Sequence, residues 1–72
     1  MNHRKNPLTE YGIAIKTELS KRGNTQNWLI AEVKKLLPER YLDVSYLNKI
    51  MTGQVKRSEI MNAIDRILGT TH

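Results

Sequence analysis

Ser45, Asn48, Lys49 and Thr52 sit within one short segment, between Asp43 and Gly53. That segment spans about three turns of helix. Leu47, Ile50 and Met51 recur at i, i+3 and i+4 and form its inward face. At about 100° per residue, Ser45, Lys49 and Thr52 point away from that face, with Asn48 on its flank. The outer side therefore offers hydroxyls, an amide and an ammonium, and no acid. An asparagine can bond an adenine edge through two atoms, and a lysine can donate to guanine acceptors. The same groups bond phosphate oxygens. This is the chemistry of reading a duplex. A capped helix with a polar outer side is also what an ordinary surface helix looks like, so the rest of the chain has to decide between the two.

A second constellation lies earlier. Gln26 and Asn27 follow Thr25, a good helix cap, and so fall beside free backbone N–H groups at the positive end of a helix dipole. A phosphate fits there. An exposed polar turn is the plainer reading of the same residues. Twelve Lys and Arg against seven Asp and Glu leave a net charge of +5, and a basic domain this small attracts polyanions through its field.

Catalysis finds no support. There is no cysteine, and the two histidines, His3 and His72, lie at the ends of the chain. There is no glycine-rich phosphate loop and no pair of acids on a common inward face; Glu32 and Glu39 read as solvated charges. Nothing meets the geometry of nucleophilic or metal catalysis. The expectation is no enzyme, no cofactor, no metal and no small-molecule substrate. No apolar run approaches membrane length, and Met1 to Lys5 lack the apolar core of a signal peptide. A cytoplasmic, nucleoid-associated protein is expected.

Four helices must position these groups. Seventy-two residues allow one domain. Residues 1–5 read as a disordered basic arm, 6–69 as the folded domain and 70–72 as a tail. The first helix opens at Asn6-Pro7 or at Thr9 and runs to Arg22, before Gly23. Its buried stripe is Leu8, Tyr11 or Gly12, Ile15 and Leu19. The second opens at Thr25, buries Trp28, Leu29, Val33 and Leu36 or Leu37, and closes at Leu37-Pro38. Pro38 to Leu42 connect it to the third, and Tyr41 and Leu42 are expected to fold back onto the core. Asp43 caps the third helix and Gly53 ends it. Ser58 is expected to cap the fourth, whose stripe is Ile60, Met61, Ile64, Ile67 and Leu68. Strand alternation is missing throughout. The fold expected is all-α, a compact bundle of four to five helices.

Several motifs in this order resemble the XRE family, the Cro-like and lambda-repressor-like helix-turn-helix regulators. They are Tyr11-Gly12 with Ile15, Lys16 and Leu19; Thr25-Gln26 with Leu29; Ser45-Tyr46-Leu47-Asn48-Lys49-Ile50; Thr52-Gly53-Gln54; and Ser58 and Ile64 before Leu68-Gly69. The resemblance covers roughly residues 8–69 and is nearest to the short regulators of phages and mobile elements. It implies that the second and third helices are the DNA-binding pair, with the third in the major groove. Carried over, Gln26 contacts a phosphate. Val44, Ser45, Asn48 and Lys49 lie nearest the base edges, Val44 against a thymine methyl. Thr52, Gln54, Lys56 and Arg57 hold the flanking backbone. Tyr46 lies between the inner and outer faces, either at the core edge or on a phosphate. The sequence departs from the family in two places. The turn between the second and third helices is longer and carries Pro38 in place of a glycine, and Ile30 stands where a small residue is favoured. Both bear on the relative tilt of the two helices.

The function expected is sequence-specific binding of double-stranded DNA as a transcriptional regulator of the repressor type. A homodimer on a palindromic or pseudo-palindromic site is the usual way for so small a module to gain specificity. The rival is a protein-interaction module on the same bundle, such as an antirepressor, antitoxin or inhibitor. Within DNA binding, an excisionase or architectural role is the second option.

Overall fold

Thr9 decides where the first helix starts. In the computed structural model, which describes residues 7–72, its hydroxyl oxygen accepts from the Gly12 N–H at 3.0 Å, and α1 spans Glu10–Arg22. The other candidate cap, Asn6, and the basic arm at 1–5 lie outside the described residues. Three more helices follow: α2 (Gln26–Leu36), α3 (Val44–Met51) and α4 (Ser58–Leu68). Thr25 and Asp43 cap α2 and α3 as their side chains predict, accepting from the N–H groups of Trp28 and Tyr46. The described residues contain no strand. None of these helices is long and apolar enough to cross a membrane.

The four apolar stripes meet in one core. Ile15 and Leu19 come from α1, Leu29, Ile30 and Val33 from α2, and Leu47, Ile50 and Met51 from α3. Ile60, Met61, Ala63, Ile64 and Leu68 come from α4, and Leu42 from the connection before α3. No polar or charged side chain is buried among the described residues. Each Leu or Ile so enclosed contributes about 1.5–3 kcal/mol by leaving water. α2 packs on α3 and α4, and α1 packs on the same two helices. Tyr11, Trp28 and Leu37 fringe the core, while Leu36 points out.

Two local expectations need correction. Tyr41 does not fold back onto the core with Leu42; it is 69% exposed, whereas Leu42 is 1% exposed. Neighbouring side chains of an extended segment point opposite ways, so burying Leu42 turns Tyr41 outward. The Tyr41 hydroxyl then donates to the Asp43 carboxylate, and its ring meets Tyr46 edge-on with centroids 6.3 Å apart. Ser58 does not cap α4. The Arg57 carbonyl already accepts from the Met61 N–H at 2.9 Å, which makes Arg57 the cap residue and Ser58 the first helical one. Arg57 makes no side-chain bond to the helix end.

The far end of α4 is closed from outside. Arg22 donates to the carbonyls of Ile67 and Leu68, each at 3.2 Å, satisfying acceptors that a helix terminus leaves open. Asp65 gathers the residues beyond: its carboxylate accepts from Thr70 at 2.6 Å and from the Tyr11 hydroxyl at 2.8 Å, and meets the His72 ring nitrogen at 2.6 Å. Half-burial, then the bond to Asp65, raises the Tyr11 phenol well above its ordinary value.

Candidate nucleic-acid interface

α3 is held at both ends, and its outer side is left bare. At its start, one Asp43 oxygen accepts from the Tyr46 N–H at 2.8 Å and the other from Tyr41. At its end, the Thr9 N–H and hydroxyl both donate to the Met51 carbonyl, at 3.0 and 2.9 Å. Gly53 carries the chain away in the left-handed region, φ 81°, which a residue with a Cβ rarely adopts. Leu47, Ile50 and Met51 are buried, which rotates Ser45, Asn48 and Lys49 into solvent. Hydrogen bonds among the described residues reach none of these three side chains. Val44 stands beside them, 39% exposed.

Cations stand around the start of this helix. The bond from Tyr41, then the Tyr46 N–H, hold the Asp43 carboxyl below its ordinary value, and the charges of Lys34 and Lys49 add to the effect. Lys34 belongs to α2 and was not singled out from sequence; only the packing of α2 on α3 brings it to this cap. Asp43 is thus turned into the helix end and hydrogen-bonded there, so it does not face outward beside the bare surface.

The expected backbone anchors fall into different settings. Lys56 and Arg57 are exposed after α3. Thr52 is turned back: its hydroxyl donates to the Asn48 carbonyl at 3.0 Å and accepts from the Gln54 amide at 2.8 Å, so those two residues brace each other. The Gln26 amide is half-buried and directed at the Met51 sulfur, 3.9 Å away. Tyr46 is half-buried at the core edge, and its hydroxyl accepts from Arg57 Nε at 2.8 Å. Of the two sequence options for Tyr46, the ring takes the core edge, and its oxygen is engaged by an arginine of the same chain.

An open groove of about 450 Å³ runs along this flank, lined by Arg40, Tyr41, Tyr46, Arg57, Glu59 and Ile60. Arg40 Nε bonds Glu59 at 2.6 Å across it. Of these residues only Tyr46 and Arg57 were read from sequence as possible DNA contacts; Tyr41 and Ile60 were expected in the core. Arg40 lies 19 positions from Glu59, and no local pattern announces the pair.

Asp43 and Asp65 set a prediction for pH. For Asp65, burial raises the carboxyl, but the bonds from Thr70, His72 and Tyr11 outweigh it and hold it below the usual range. A carboxyl depressed in the fold stabilises above its unfolded value, near 4, and loses that contribution as pH falls through its folded value. The urea midpoint should be level from about pH 7 to 5 and drop below about pH 4. Asp43→Asn with Asp65→Asn should flatten the drop, because asparagine still caps a helix. A midpoint that climbs on acidification would contradict the assignment.

No protein-family model matches the chain, and no curated protein or solved structure matches it either.

Proposed function

We propose that the protein is a helix-turn-helix regulator that binds double-stranded DNA, with α3 lying in the major groove. The observation that carries this reading is the outer side of α3. Ser45, Asn48 and Lys49 are exposed and hydrogen-bonded to no described residue, and the carboxylate that feels Lys49, Asp43, is engaged by Tyr41 and the Tyr46 N–H. Lys34 near the cap of α3 and Arg57 on the Tyr46 hydroxyl place positive charge beside it, as a surface approaching a polyanion requires, and Lys56 is exposed in the segment that follows.

The division of labour follows from chemistry. Ser45, Asn48 and Lys49 discriminate sequences, and Val44 touches a thymine methyl. Lys56 and Arg57 anchor the backbone and supply affinity that is indifferent to sequence. Gln26 sits in the first turn of α2, where a phosphate would meet free N–H groups. Its inward amide assigns it to bracing α3 as much as to the phosphate. Thr52 and Gln54 support the end of α3 and reach the backbone only through that brace.

The test is a fluorescence titration with random duplex across a salt series, followed by selection from a duplex library. The protein should bind at low salt and weaken steeply toward physiological salt. Asn48→Ala should relax preference at one or two base positions, at about 1–3 kcal/mol for the favoured base. Lys56→Ala should weaken all sequences alike and flatten the salt slope by about one. Uniform losses in both variants would refute the split between readers and anchors. Indifference to duplex at low salt would refute DNA binding and leave the protein-interaction module.

A further inference from the structure

We propose that the groove between the start of α3 and the first turn of α4 seats a backbone phosphate of the bound duplex. Arg57 and Arg40 are its donors, and Glu59 is a built-in brake on affinity. The proposal rests on the DNA-binding reading and adds to it Arg40, Tyr41 and Glu59, which lie outside the elements predicted to touch DNA.

The argument begins with the two guanidinium groups. Each spends its Nε inside the protein, Arg57 on the Tyr46 hydroxyl at 2.8 Å and Arg40 on Glu59 at 2.6 Å. Those bonds fix where the terminal nitrogens lie without using them, and hydrogen bonds among the described residues reach neither pair. A guanidinium oriented through Nε presents a fork that matches two phosphate oxygens. Both forks belong to the same groove. Tyr41 forms its outer wall, 69% exposed, with a ring able to pack against a sugar.

The shape decides what the occupant is. A small ligand is held by enclosure, with about 70–90% of its surface covered. Here the Arg40 and Glu59 side chains are 58% and 53% exposed, so a free nucleotide would remain mostly in water. A polymer held at many points needs no enclosure at any one of them. The position fits as well. Tyr46 precedes Lys49 by three residues, so the groove begins about 60° around α3 from Lys49, the near edge of the proposed reading side, and about 100° from Ser45. Backbone flanking a helix in the major groove runs along such a shoulder.

Glu59 sets the sign of the test. Its carboxylate holds Arg40 in place and also opposes an arriving phosphate. Arg40→Ala and Glu59→Gln break the same ion pair, so a merely structural role moves both variants in one direction. The proposal moves them apart. In the full chain with random duplex, Arg40→Ala should weaken binding about threefold or more between 50 and 200 mM salt and flatten the salt slope by about one. Glu59→Gln should tighten binding about threefold and leave the slope equal or steeper. Arg40→Lys should restore part of the loss, and thermal melts of each variant exclude unfolding as the cause. Equal-sign changes, or no change, in a wild-type protein that binds duplex would overturn this proposal alone. A wild-type protein that ignores duplex would overturn it together with the reading beneath it.

Discussion

Lys49→Glu should abolish duplex binding under conditions where the wild-type protein binds well, a loss of at least about a hundredfold at low salt. The substitution removes a donor from the exposed side of α3 and puts a carboxylate against phosphates, and opposed like charges cost several kcal/mol, where about 1.4 kcal/mol is tenfold in affinity. The fold should not change. Lys49 is exposed and bonded to no described side chain, and surface changes of that kind stay within about 0.5 kcal/mol of neutral. The loss has to appear in binding with the melting curve intact. Comparison with Lys49→Ala separates two contributions. The neutral variant should lose discrimination at a guanine position and keep most non-specific affinity. The acidic one should lose both. If Lys49→Glu left duplex binding within threefold of wild type, α3 would not be the surface that meets DNA, whatever else the protein bound.

The outer side of α3 was legible because everything that sets it is local. Asp43, Leu47, Ile50, Met51 and Gly53 fix its start, its rotation and its end within one segment, and 100° arithmetic then places Ser45, Asn48 and Lys49. α2 was legible for the same reason, with Thr25 at one end and Pro38 just past the other. The connection from Pro38 to Leu42 was read only in half. Leu42 had to be buried somewhere, but the side to which Tyr41 turns depends on where α3 lies when Leu42 docks. Ser58 looked like a cap because serine favours that position, yet the helix begins one residue sooner once the Arg57 carbonyl is engaged. The remaining surprises are pairings across long separations. Arg22 reaches the end of α4, Lys34 stands near the cap of α3, and Arg40 bonds Glu59. Charged side chains obey no period that would match them to partners in another helix. The groove on the flank of α3, built from such pairings, could only come from the fold.

Gly12 shows the same limit with the larger consequence, since in sequence it was an alternative to Tyr11 in the stripe of α1 and part of the Tyr11-Gly12 motif, with no close approach attached to it. Its Cα passes so close to the end of α3 that a Cβ would stand 2.2 Å from the Met51 carbonyl oxygen. That oxygen is the one that accepts from both the Thr9 N–H and the Thr9 hydroxyl. Backbone cannot rotate aside as a flexible side chain would, so Gly12→Ala must drive α1 away from α3 and pull on both bonds. In an unobstructed helix interior the same exchange stabilises by about 0.5–1 kcal/mol, which makes the sign diagnostic. The expected result is a net loss of about 2–3 kcal/mol from overpacking, seen as a fall in melting temperature of roughly 10–20 °C for a domain of this size. Gly23→Ala is the control. Gly23 has φ 69° and open space around it, so its cost is left-handed strain alone, about 1–2 kcal/mol. A helix-interior glycine should therefore be the harder of the two to replace, against the usual ranking by conformation. Duplex binding measured well below the melting temperature should also weaken in Gly12→Ala and not in Gly23→Ala, because only the first displaces the end of α3. If Gly12→Ala melted at or above the wild-type temperature, the close approach of α1 to α3 would be disproved, and with it the anchoring that holds the proposed reading surface in place.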